Sequence, residues 1–112
     1  MTMPASMSAA ELFETLCEEF AETPGVTLPG DGRGFGSRAL KINRSIFAML
    51  VDGRLVVKLP RDRVTDLIKA RDGEPFDGGK GTPMKEWVVL VADEATCRAL
   101  VQEALGFVGQ RR

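Results

Sequence analysis

Residues 46–59 read IFAMLVDGRLVVKL, two apolar runs separated by Asp52-Gly53. Both central positions of a two-residue hairpin turn require positive φ, and Asp-Gly meets that need. The stretch therefore predicts a β-hairpin with strands over 46–51 and 54–59. A two-residue turn fixes the pairing and so sorts the side chains between the two faces. Leu50 with Leu55, Ala48 with Val57 and Ile46 with Leu59 form a wholly apolar face, the expected core side. Met49 with Val56, Phe47 with Lys58 and Val51 with Arg54 form the other. There Phe47, Met49, Val51 and Val56 make an apolar patch edged by Arg54 and Lys58, the composition of a partner or dimer surface. The plainer alternative is that a loop or the N-terminal segment covers this patch within the monomer.

Working outward, 39–43 alternates Leu40 and Ile42 against Lys41 and Asn43, the period of a half-buried strand. Asn43-Arg44 forms a turn into the hairpin, and 26–28 is a short edge segment. Upstream, Ser8 and Glu11 form a capping box. Leu12, Phe13, Leu16, Cys17 and Phe20 then line one helical face, opposite Glu11, Glu14, Glu18 and Glu22. After the hairpin, Pro60 suits a helix start. Val64, Leu67 and Ile68 give that helix an apolar stripe, and Asp72-Gly73 closes it. A short strand at 74–76 and a longer one at 85–91 follow. The apolar run of the latter is too long for one buried face. Asp93 caps a last helix striped by Cys97, Leu100, Val101, Ala104, Leu105 and Val108. The expected fold is α+β: a two-layer structure with an antiparallel sheet, helices on one face, and the order α-β-β-β-α-β-β-α. It is expected as a single domain over 8–109, with a flexible tail at 1–7 and a free end at 110–112.

Composition narrows the function. The 112-residue chain has 44% hydrophobic residues, a formal net charge of −1, two cysteines, and neither histidine nor tyrosine. One domain of this size buries enough surface for a core without staples. The lack of histidine removes the commonest general base and metal ligand. Cys17 and Cys97, on helices and outside any Cys-x-x-Cys spacing, read as small buried hydrophobes. No metal site and no cofactor is expected. The N-terminus lacks the basic start and apolar stretch of a signal peptide, and no run is long enough to span a membrane, so the expected location is cytoplasmic with no membrane contact.

The charge is segregated. Residues 1–32 carry six acidic and no basic side chains, whereas residues 33–85 carry twelve basic and six acidic ones. Arg33, Arg38, Lys41, Arg44, Lys80 and Lys85 are the candidate contacts to a nucleic acid or an acidic partner if they gather on one surface. The plainer reading is that the basic middle balances the acidic first helix. The isoelectric point near 5.5 favours that reading over a nucleic-acid domain.

Motifs that would carry chemistry fail on context. Gly79-Lys80-Gly81-Thr82 has glycine where a phosphate loop needs Ser or Thr after the lysine. Gly30, Gly32, Gly34 and Gly36 lead into a strand, whereas a dinucleotide fingerprint must open a helix. Glu74, Asp77 and Glu86 are close in sequence, with nothing to make them converge. No catalytic residue is assigned.

The order and spacing of several pieces resemble the TfoX/Sxy N-terminal domain family and, more distantly, the MmcQ/YjbR proteins. These are Gly34-Phe35-Gly36, Leu40-Lys41-Ile42-Asn43, Ile46 to Leu50 with Phe47, Asp52 to Pro60 with Lys58, Gly73-Glu74-Pro75-Phe76, and Gly79-Lys80-Gly81 followed by Pro83-Met84-Lys85-Glu86-Trp87. Arg44-Ser45 stands where that family tends to have Gly-Lys, and Thr82 where arginine is frequent. The resemblance implies a secretion-chaperone-like α+β fold and no set of catalytic residues. The combined expectation is a non-enzymatic module acting through an unidentified protein partner or by self-association. Weak nucleic-acid binding is the alternative. Small-molecule or enzymatic chemistry comes third, and would need a pocket where Lys58, Lys85 and Glu86 converge.

Overall fold

The computed structural model describes residues 8–28, 37–77, 81 and 84–110. The expected tail at 1–7, residues 29–36 with their four glycines, residues 78–80, 82 and 83, and the end at 111–112 lie outside these residues. So do Arg33, Lys80, Gly34, Phe35 and Gly36.

The elements are α1 (Ala9–Phe20), β1 (Val26–Thr27), β2 (Ser37–Ile42), β3 (Ser45–Val51), β4 (Arg54–Lys58), α2 (Arg61–Lys69), β5 (Gly73–Pro75), β6 (Trp87–Leu90) and α3 (Glu94–Gly109). The strands form one six-stranded sheet in the order β1-β2-β3-β4-β6-β5. Every neighbouring pair is antiparallel. The α+β class, the antiparallel sheet and the order of elements are as the pattern predicts, with the short edge segment present as β1.

Local chemistry sets the element ends. Ser8 and Glu11 form the expected reciprocal capping box on α1, and the Asp93 carboxylate accepts from the Thr96 N–H at 2.9 Å to start α3. Pro60 occupies the N-cap of α2 with extended backbone and no side-chain bond. That helix ends with Asp72 N–H donating to Leu67 O and Arg71 N–H to Ile68 O, while Arg71 takes φ +66°. This is the double bond of a Schellman ending, with arginine where glycine is usual. Gly73 serves a different need, since a Cβ there would lie 2.5 Å from Val88 Cγ2.

All three helices contribute to one core. Leu12, Phe13 and Leu16 of α1, Val64 and Leu67 of α2, and Leu100, Val101 and Ala104 of α3 pack with Leu40, Leu55, Val57 and Val88 of the sheet. The helices therefore share one face. A second, smaller cluster of Val56, Phe76 and Val89 lies apart from it, with Met49, Val51, Met84 and Trp87 packed against it. This division explains the long apolar run of β6. The strand sits between β4 and β5 and is buried on both sides, through Val88 and Leu90 in one cluster and Val89 in the other.

The hairpin has the expected register from Ala48↔Val57 to Val51↔Arg54. Asp52 and Gly53 have φ of +52° and +76°. One expectation fails. Phe47 belongs to the helix-covered core and is fully buried, not part of the outer patch. The cause is a bulge in β3: Leu40 pairs with Ala48 but Lys41 pairs with Ile46, so Phe47 has no partner on β2. A bulge places two successive residues against one and breaks the alternation of side chains. Phe47 and Ala48 both turn inward, and the Phe47 ring meets Phe20 edge to face at 5.7 Å. Ile46, expected in the core, is only half-buried. It stands opposite Lys41, whose neighbours Leu40 and Ile42 point into the core. Directly opposed residues share a face, so Ile46 and Lys41 belong to the outer side.

Candidate functional site

The outer face carries what the hairpin expectation placed there, less Phe47. Met49 and Val56 are opposed across β3 and β4, and Val51 faces Arg54 beside the turn. Val56 is fully buried because Val89 of β6 flanks it and Phe76 closes over it. The Met84 N–H donates to Phe76 O at 2.8 Å, which holds the two ends of the segment 76–84 together. Phe76 and Met84, from the connection between β5 and β6, thus cover part of this face, as the plainer alternative had a loop do. Met49, Val51, Met84 and Trp87 stay half-exposed around the covered centre.

Trp87 joins this outer face. It pairs with Lys58 across β4 and β6, and the Lys58 ammonium lies 5.4 Å from its ring centroid. The Leu59 N–H donates to Glu86 O at 3.0 Å, extending the ladder by one step. Glu86 is thereby fixed beside Lys58, with 3.9 Å between ammonium and carboxylate. Both side chains remain partly in water, so this pair orients more than it stabilises.

The basic candidates divide. Arg38 lies on the helix side, where it pairs with Glu14 and stacks 5.6 Å above the Phe13 ring. Arg38–Glu14 is the one ion pair among the described residues that joins the basic middle to α1. Lys41 lies one residue before the end of β2 on the outer face, Arg44 occupies the β2–β3 turn, Lys58 ends β4, Arg61 opens α2, and Lys85 precedes β6. Antiparallel pairing puts Lys41, Lys58 and Trp87 at the same end of the sheet. Lys41 and Lys58 therefore share one end of the outer face, with Arg61 and Lys85 beside Trp87 and Arg44 in the turn at that same end. Lys41, Arg44, Arg61 and Lys85 are exposed. Sequence reasoning missed Arg61, because its position depends on β4 passing directly into α2.

That end holds a groove of about 550 Å³ lined by Lys58, Arg61, Met84, Lys85, Glu86 and Trp87. It brings together Lys58, Lys85 and Glu86, the convergence named for the third functional expectation, but as an open surface groove. A second hollow of about 290 Å³ shares Arg61, Met84 and Lys85 with it and continues along α2 past Val64, Thr65 and Ile68 to Pro75. One end of the joined groove is cationic and the other apolar.

Elsewhere the chemistry is quiet. Cys17 and Cys97 are both buried free thiols, and burial pushes each above the ordinary thiol range. The Cys97 thiol donates to Ala92 O at 3.3 Å. Among the described residues no group of three or more Cys, Asp and Glu side chains is placed to hold a metal ion. No described helix is long and apolar enough to cross a membrane. Glu74 and Asp77 do not line the groove with Glu86.

No protein-family model matches this chain, and no curated protein and no solved structure matches it.

Proposed function

We propose that the chain is a non-enzymatic, cytoplasmic interaction domain of the TfoX N-terminal type, binding a protein partner through the outer face of its sheet. One observation carries this reading. The half-exposed apolar side chains Met49, Val51, Met84 and Trp87 run into a cluster of cations at Lys41, Lys58, Arg61 and Lys85. An apolar centre with a charged rim is the anatomy of a protein interface. Lack of histidine and of any catalytic motif supports a binding role.

Affinity capture from native lysate tests it, comparing the wild-type chain with Met49→Glu after nuclease treatment. A protein retained by the wild type and lost by the variant, at equal thermal stability, supports the reading. Identical retention by the two chains overturns it. A second reading, nucleic-acid binding, draws on the same five cations, Lys41, Arg44, Lys58, Arg61 and Lys85. Its signature is capture abolished by nuclease and an affinity that falls steeply with salt.

A further inference from the structure

We infer that the groove between α2 and residues 84–87 receives an extended acidic segment of the partner protein, with an apolar side chain seated against α2 and a carboxylate at the cationic mouth. The inference rests on the outer-face reading and names the chemistry that reading leaves open.

Shape and charge set the occupant. From Arg61 to Ile68 the groove follows α2 for about 10 Å at the helical rise per residue. That length matches about three residues of extended chain. At the mouth stand Lys58, Arg61 and Lys85 against the single carboxylate of Glu86. Lys58 is already committed to Glu86 and to the Trp87 ring. Arg61 and Lys85 form no ion pair among the described residues and are exposed, so two cations are free to meet carboxylates. Beyond the shared Met84, Val64, Ile68 and Pro75 offer an apolar seat with no further charge. Side chains two residues apart on an extended segment point the same way, about 7 Å apart, which places one at each end. The matching pattern is an acidic residue, any residue, then an apolar one.

A nucleic-acid strand suits this groove less well. Its apolar half gives phosphates nothing, Glu86 repels them, and the Lys58 ammonium sits over the Trp87 ring where a base would stack.

Trp87 is the sole tryptophan and lines the groove, so its emission reports occupancy directly. The full chain is titrated with the acetylated, amidated peptide Glu-Glu-Ser-Leu-Gly. Control peptides carry lysine for the two glutamates, or serine for the leucine. The expected result is a saturable emission change with the first peptide, weakened about tenfold or more by each control and by the Arg61→Ala/Lys85→Ala double variant. Both replaced side chains are exposed, and a thermal scan confirms that the double variant folds; Lys85→Glu gives the same loss through a single change. The inference is overturned by no saturable change up to about 1 mM peptide, by equal binding of the controls, or by a thymidine 12-mer that binds where the peptide does not. Lysate capture that depends on Met49 but ignores Arg61→Ala/Lys85→Ala overturns the groove assignment alone and leaves the outer-face reading standing.

Discussion

On the helix side of the sheet Phe47, Leu55, Val57 and Val88 are closed off from water, whereas on the other side Met49, Val51 and Trp87, from the same strands, stay half-exposed. The difference comes from what lies above each face. Among the described residues, three helices cover the first, and Phe76 and Met84, from the connection between β5 and β6, cover part of the second. Alternation along a strand supplies apolar side chains to both faces, but connectivity decides which set becomes core. The bulge in β3 sharpens the contrast, since it moves one large aromatic ring from the open face to the closed one.

The contrast breaks most readily at neighbouring residues of β3. Phe47→Ala should cost about 3 to 5 kcal/mol of unfolding free energy, the range for emptying a buried aromatic site. Met49→Ser, two residues away on the open face, should cost about 1 kcal/mol or less, because much of that side chain already meets water. Urea denaturation of the two variants measures the gap. Equal costs would mean that alternation runs unbroken through Phe47, or that Met49 is as deeply packed.

Most of this architecture was legible in the sequence, for physical reasons. Asp52-Gly53 permits positive φ twice in succession, so it fixed the hairpin and its register from Ala48 to Val51. The helix faces followed from 3.6-residue spacing, and the capping box and the Asp93 cap from side chains that can satisfy free N–H groups. The alternation misplaces Phe47 because a bulge depends on tertiary packing, here the meeting of its ring with Phe20 on the helix side. The cationic end of the outer face was half legible. Lys41, Arg44, Lys58 and Lys85 were singled out, but the sequence also grouped Arg38 with them, which the adjacent Glu14 and Phe13 draw to the other side. Arg61 and the groove could be found only once β4, α2 and β6 had been brought together.

A medium effect tests how tightly the helix side is closed. Gly73→Ala should destabilise by about 1 to 3 kcal/mol, because the added methyl meets Val88 and Leu67 in a packed layer. Thermal denaturation reads this directly, and an unchanged midpoint would show slack between α2 and β6. A smaller effect of opposite sign is expected in the β2–β3 turn. Arg44 holds φ +75° on an exposed turn, so Arg44→Gly should stabilise by about 1 kcal/mol, seen as a raised urea midpoint with unchanged slope.

The smallest effect concerns acid. The Thr96 N–H bonded to Asp93 holds its carboxyl below the ordinary value of 3.8. A depressed carboxyl pKa in the folded state stabilises above the unfolded-state value, and that contribution is lost as pH falls through the lowered one. Asp93→Asn keeps an acceptor at the cap but removes the titration. The pH dependence of the unfolding midpoint below about pH 4 should flatten in this variant. A slope identical to the wild type would assign acid sensitivity to other carboxylates.

Trp87 stands half-exposed at the rim of the outer face, whereas Phe47 is closed into the core. Acrylamide quenching of the intrinsic fluorescence tests it most directly, because Trp87 is the sole tryptophan. The expected result is a single quenching constant for the native chain, between those of a free and a fully buried indole, and protection when the acidic peptide is added. Native fluorescence as resistant to acrylamide as a fully buried indole, with or without peptide, would contradict it.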